Sequence, residues 1–183
     1  MTSYLVFAGL SLILVAISWK SLWAPGSHGF YRFFAWEAIL GLIVINIRLW
    51  FHDPFSWHQV LSWFFLIVSL VPLPLGVYEL RARGEPTRER EGDPSLLAFE
   101  KTTALVTTGI YRYIRHPLYS SLLLLAWGVL FKSLTWITVP LGIAATGFLV
   151  ATARADEREC IAFFGKEYQV YMQKTKMFIP FIL

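Results

Sequence analysis

The chain has 183 residues, of which 56% are hydrophobic and only 15% charged, with a formal net charge of +4 and a mean hydropathy of +0.56. Soluble domains carry about 25% charged residues, and the apolar residues here come in long blocks, so the chain reads as one integral membrane domain, 1–183. The basic surplus then reports orientation in a bilayer, and the acids interspersed with it exclude a nucleic-acid-binding face.

The first apolar block, Tyr4–Trp23, is broken by Pro25-Gly26-Ser27. It lacks a basic leader and an Ala-x-Ala end, so it reads as a retained helix. A second block runs from about Phe30 to Phe51 and a third from about Trp57 to Leu80, the latter expected to kink at Pro72 and Pro74. Each is long enough to cross about 30 Å of hydrocarbon. Glu37 lies inside the second block, where a carboxylate is either functional or paired with Arg32 or a buried hydroxyl.

Residues Arg81–Lys101 form the one long polar stretch, punctuated by Gly84, Pro86, Gly92 and Pro94, and read as a solvated loop. A fourth block, about Pro117 to Phe131, is short and is expected to borrow a first turn from residues before the proline. Lys132-Ser133 should turn tightly into a fifth, Leu134–Ala153, giving an antiparallel hairpin. From Asp156 the character changes. Ile161, Phe164, Tyr168 and Tyr171 form one helical stripe, predicting an amphipathic tail helix along the membrane surface or against the bundle. The segments divide as 1–80, 81–116, 117–153 and 154–183.

Placing the 81–116 loop, the first connection and the tail in the cytoplasm leaves only Arg48 and Lys132, of sixteen lysines and arginines, on the far side. This predicts an all-α protein of about five spans, with the N-terminus outside and the C-terminus inside. The hairpin then brings His116, Pro117 and Tyr119, at the start of the fourth span, beside Arg154, Asp156 and Glu157 at the end of the fifth. Such a cluster at a membrane boundary is either a site or a basic interfacial anchor, with the acids merely opening the tail helix. No His/Cys cluster has metal-ligand spacing and no phosphate-cradling glycine loop is present, so no metal is expected. The single cysteine, Cys160, reads as a packing residue.

Arg115-His116-Pro117-Leu118-Tyr119, then Asp156-Glu157, then Phe164-Gly165-Lys166-Glu167-Tyr168, Tyr171 and Ile179-Pro180 follow a pattern with fixed order. Together with the upstream LVTTGIYRY it resembles the isoprenylcysteine carboxyl methyltransferase and phospholipid methyltransferase superfamily over roughly Thr103–Pro180. The resemblance implies a membrane enzyme using S-adenosyl-L-methionine on a lipophilic or lipidated acceptor. An isoprenylcysteine-like carboxylate is the leading acceptor and a phospholipid amine the alternative. It implies cofactor contacts at Thr103, Leu105, Val106, Tyr111, His116, Pro117, Leu118, Tyr119, Asp156 and Glu157, with catalytic roles for His116, Glu157 and Arg154. The family's substrate arginine lies four residues before the first acid, where this chain has Thr152, so Arg154 is its nearest replacement. An NADPH-dependent sterol or ene reductase of related fold, and a non-catalytic scaffold, are the rival readings.

Overall fold

The computed structural model describes residues 2–85, 100 and 102–181, so most of the 81–101 loop lies outside the described residues. Seven helices carry the chain: α1 (Thr2–Leu22), α2 (His28–Asn46), α3 (Trp57–Ser69), α4 (Pro72–Arg83), α5 (Pro117–Leu130), α6 (Thr138–Phe164) and α7 (Lys166–Lys174). Short 3₁₀ turns lie at Ile47–Leu49 and Gly109–Arg112. Among the described residues there are no β-strands, only a bridge between Ile114 and Lys176. Four stretches, Tyr4–Leu22, His28–Leu49, Trp57–Arg83 and Thr138–Phe164, are long and apolar enough to cross a membrane, and α5 is a shorter apolar helix. This is an all-α multi-pass membrane protein.

The third block breaks where its prolines predict. Proline lacks the N–H that would continue the helix, so Leu70 and Val71 close 3.1 Å bonds back to Ile67 and Val68. Helix α4 then restarts with Pro72 in its first turn, where a missing donor costs nothing. Helix α5 gains no turn before Pro117, against expectation. His116 sits at φ −123°, ψ 62°, because the α region is disfavoured for a residue preceding proline.

The α5–α6 hairpin forms, but its link is not a tight Lys132-Ser133 turn. It runs from Phe131 to Ile137 and is pinned by Thr138, whose hydroxyl donates to Ser133 O at 2.6 Å. Lys132 folds back beneath the bundle. Its ammonium donates to Gln59 Oε1 at 2.9 Å and Trp50 O at 3.2 Å, and lies 3.9 Å from the centroid of the Trp63 ring. The fifth span does not stop at Ala153. Helix α6 continues to Phe164, since nothing between breaks a helix, and ends where Gly165 takes φ +62°. The expected single tail helix is therefore the last turns of α6 followed by α7.

Helix α2 packs most extensively on α6 and also touches α1 and α5, while α3 and α4 pack on α5. The contacts are built on small residues. Ala35, Ala126, Ala145 and Ala153 are completely buried, which lets helix backbones approach where no hydrophobic effect operates between lipid-immersed surfaces. Glu37 accepts from the Ser11 hydroxyl of α1 at 2.9 Å, and Arg32 is committed elsewhere, so the carboxylate has a hydroxyl partner.

At Gly128, α5 lies close against Leu66 of α3. A Cβ there would lie 2.8 Å from Leu66 Cγ and 3.0 Å from Leu66 N, whereas one at Gly147 meets nothing within 4 Å. Gly128→Ala should therefore lose about 1–3 kcal/mol by overpacking. Gly147→Ala should hold or gain about 0.5–1 kcal/mol from helix propensity. Thermal unfolding of both variants in detergent checks the contrast.

Candidate active site

The site is built from the turn at Thr107-Thr108-Gly109 outward. Gly109 has φ +56°, and a Cβ on it would fall 2.3 Å from Glu79 Oε1, so the position requires glycine twice over. Glu79, buried on α4, accepts from the Thr108 hydroxyl at 2.8 Å and pairs with Arg83 at 3.2 Å. That latch fixes the turn, and the 3₁₀ segment after it delivers Tyr111 to the interior.

The next residues run extended against the chain beyond α7. Arg115 N donates to Lys176 O at 2.8 Å, His116 N to Met177 O at 3.1 Å, and Lys176 N to Tyr113 O at 3.1 Å. The Ser120 hydroxyl lies 2.8 Å from Phe178 O and 2.9 Å from His116 O, and Phe178 is almost wholly buried against the imidazole. The apolar string after α7 thus backs the motif.

Helix α6 supplies the acids. Consecutive helical residues point about 100° apart, so Asp156 and Glu157 reach different sides of one ring. His116 Nδ1 lies 3.4 Å from Asp156 Oδ2, and Nε2 lies 3.3 Å from Glu157 Oε1. Glu157 also takes Arg115 Nε at 2.7 Å, while the same guanidinium donates to Met172 O at 3.2 Å and to Thr175 O. The ring stacks on Tyr119 with centroids 5.4 Å apart. Burial pushes the His116 pKa down, but its bonds to Asp156 and Glu157 outweigh that and leave it above the ordinary 6.5. Tyr111, Tyr168 and Tyr171 are raised chiefly by burial, so they stay neutral phenols. Tyr171 donates to Tyr111 O at 2.7 Å and locks α7 onto the motif.

These elements line a partly open pocket. Of the residues singled out in the sequence, Leu105, Val106, Tyr111, His116, Pro117, Leu118, Tyr119 and Asp156 line it. Three do not. Thr103 is exposed and donates to Glu85 O at 2.9 Å, with Thr102 on the lining in its stead. Glu157 is turned to Arg115 behind the imidazole. Arg154 is exposed on α6 and makes no hydrogen bond or ion pair among the described residues. The cation beside the acids is Arg115, which the motif contained but the hairpin argument passed over.

Sequence reasoning also missed Glu100 and Cys160. Glu100 reaches the cavity from the loop and is held by Arg32 at 3.0 Å, and no pattern in the sequence announces it. Cys160 stands one helical turn after Asp156, Sγ 3.6 Å from Asp156 Oδ1, a spacing that pointed to it.

The chain is 26% identical over 182 residues to a methanethiol S-methyltransferase of Crocosphaera subtropica, covering 99% of this chain and 61% of that protein. It is 23% identical over 179 residues to one of Mycobacterium tuberculosis, covering 98% and 63%. A probable protein-S-isoprenylcysteine O-methyltransferase of Oryza sativa subsp. indica is 32% identical over 124 residues, covering 66% of this chain and 63% of that protein. The chain is similar to members of the isoprenylcysteine carboxyl methyltransferase family. It spans about three-fifths of the length of these family members. No family model and no solved structure matches it. The likeness to the two S-methyltransferases extends through the first three spans, beyond the Thr103–Pro180 stretch that carries the family's motifs.

Two outcomes follow from the charge cluster. Arg115→Ala strands a buried Glu157 and should cost about 3–5 kcal/mol, read as a lowered midpoint of thermal unfolding. The raised pKa of His116 means its imidazolium stabilises the fold fully below pH 6.5 and loses that effect as pH rises through the folded value. Stability scanned upward from pH 6 should show this fall, and His116→Asn should flatten it.

Proposed function

We propose that this chain is an S-adenosyl-L-methionine-dependent methyltransferase acting on a lipophilic nucleophile, and that the acceptor atom is a thiol sulfur. The observation that carries the reading is the imidazole of His116 held between Asp156 and Glu157 on the wall of that pocket. The pocket's donor set suits the cofactor. Asp156 and Glu100 would take its cationic groups, the rings of Tyr168 and Tyr171 would face its sulfonium, and the backbone of Leu105–Val106 would flank its base. When bound, the cofactor supplies a methyl group on positively charged sulfur, open to in-line attack.

The chain's own part is to hold, align and keep dry. Leu80, Leu105, Leu118 and Phe164 give the cavity apolar walls, which suits an acceptor arriving from lipid. Alignment of two reactants can supply up to about 7–11 kcal/mol of the barrier. The bias of lysines and arginines supports a cytoplasmic face for this end of the bundle.

Sulfur is preferred over carboxylate for a physical reason. An ionised carboxylate entering an apolar cavity needs a cation. Arg115 is bound to Glu157 and two carbonyls, His116 lies between two acids, and Arg154 is out at the surface. A thiol asks for no such partner. The S-methyltransferase names belong to relatives aligned along nearly the whole chain, which supports the same choice. The second reading, carboxyl methylation of an isoprenylcysteine, is favoured by the 32% identity to the Oryza protein.

Supplying membranes that contain the protein with radiolabelled methyl donor, and with alkyl thiols or farnesylcysteine, tests both. Label on the thioether product supports the proposal, and label on the farnesylcysteine ester alone replaces it. Asp156→Asn should weaken cofactor binding about 10- to 100-fold, the worth of a hydrogen bond to a charged group, while Arg154→Gln should leave it unchanged by calorimetry. Tight NADPH binding with none of the methyl donor would overturn the class.

A further inference from the structure

Two paired ionisable groups take no part in the cavity wall. His28 opens α2 and is completely buried, and Glu159 lies three residues beyond Asp156 on α6. The His28 backbone N donates to Glu159 Oε1 at 3.0 Å, and its Nδ1 is 2.5 Å from Glu159 Oε2. Donor atoms of His28, Asp156 and Glu159 all lie within 4.8 Å of one another. Asp156 in turn lies 3.4 Å from His116 Nδ1. Arg32, from its own helix, also faces His28. A line of proton-exchanging groups therefore leads from the imidazole on the cavity, through Asp156 and His28, to a carboxylate whose side chain is 30% exposed.

A structural clamp between α2 and α6 explains the His28–Glu159 bond but not the placement of Asp156 between the two imidazoles. If the acceptor is a thiol, as proposed above, one proton must be disposed of at each turnover. A thiol is mostly protonated at neutral pH, and only the thiolate attacks. The S–H bond breaks with its electron pair left on sulfur, that pair forms the new S–CH₃ bond, and the donor's C–S pair returns to the donor sulfur, which becomes neutral. The proton is left in an apolar cavity.

We infer that Asp156, His28 and Glu159 form the route by which this proton leaves, with Asp156 receiving it from the acceptor and Glu159 delivering it to water. His28 and Glu159 act through Asp156 and do not touch the acceptor.

The test uses the full chain in detergent or vesicles with two probe acceptors: an alkyl thiol, protonated at neutral pH, and an electron-poor aryl thiol that is already ionised. His28→Asn keeps an N–H for Glu159 and cannot relay a proton. Glu159→Gln keeps an acceptor for the His28 N–H and cannot take one. Both should lose about 100-fold in kcat on the alkyl thiol, the typical worth of positioned proton transfer, with no loss on the aryl thiol. Cofactor affinity should stay unchanged, and since altering a buried pair lowers the thermal midpoint, the difference between the two thiols is the readout. In NMR titrations of ¹⁵N-histidine, Asp156→Asn should also shift the His28 titration, a readout independent of turnover. Equal loss on both thiols, no loss on either, or an unmoved His28 titration overturns the route and leaves the thiol reading standing. A wild-type chain that methylates neither thiol removes that reading and the route with it.

Discussion

Two neighbouring carboxylates on one helix hold an imidazole and a guanidinium from two neighbouring residues of another segment. That four-charge arrangement is the constraint on which the cytoplasm-proposed end of this bundle depends. Charges removed from water are costly unless each is paired with good geometry, and here Arg115, His116, Asp156 and Glu157 satisfy one another within 3.4 Å. The pairing joins the start of α5 to the far part of α6, and Arg115 extends it to the carbonyls that end α7. The cavity is what these joined elements leave between them. Its shape follows from a charge problem being solved, with apolar packing filling in around it.

Much of this could be read from the residues alone. The apolar blocks gave the helices, Pro72 gave the α3–α4 break, and the hairpin put His116 next to the acids. What could not be read was orientation within a turn. Asp156 and Glu157 are adjacent in sequence but diverge by roughly a quarter turn, so one meets the cavity and the other Arg115. Arg154, two residues earlier, points out of the bundle for the same reason. Glu100 was illegible because its placement comes from a buried partner, Arg32, sixty-eight residues away. The boundary at Ala153 was misread because hydropathy changes there while helix propensity does not, and the backbone obeys propensity until Gly165.

The two ends of the bundle handle cations differently. At the site, guanidinium and imidazolium are matched by carboxylates. At the far end Lys132 meets no acid within ion-pairing distance among the described residues and is held by a carbonyl, an amide oxygen and the face of Trp63. Burial lowers its pKa, the direction expected for an ammonium without a counter-ion. One end is therefore polarised by full charges and the other by dipoles and an aromatic quadrupole, which suits reactive chemistry at the first and anchoring at the second.

The strand-like pairing of Tyr113–His116 with Lys176–Met177 has a bearing on how the molecule comes into being. During synthesis the motif emerges some sixty residues ahead of Thr175, to which Arg115 binds. For that interval the motif's edge has no backbone partner, and its arginine and histidine await acids that have yet to be translated. Only once the chain after α7 has been made can that edge be paired, so the wall of the pocket is completed late in synthesis.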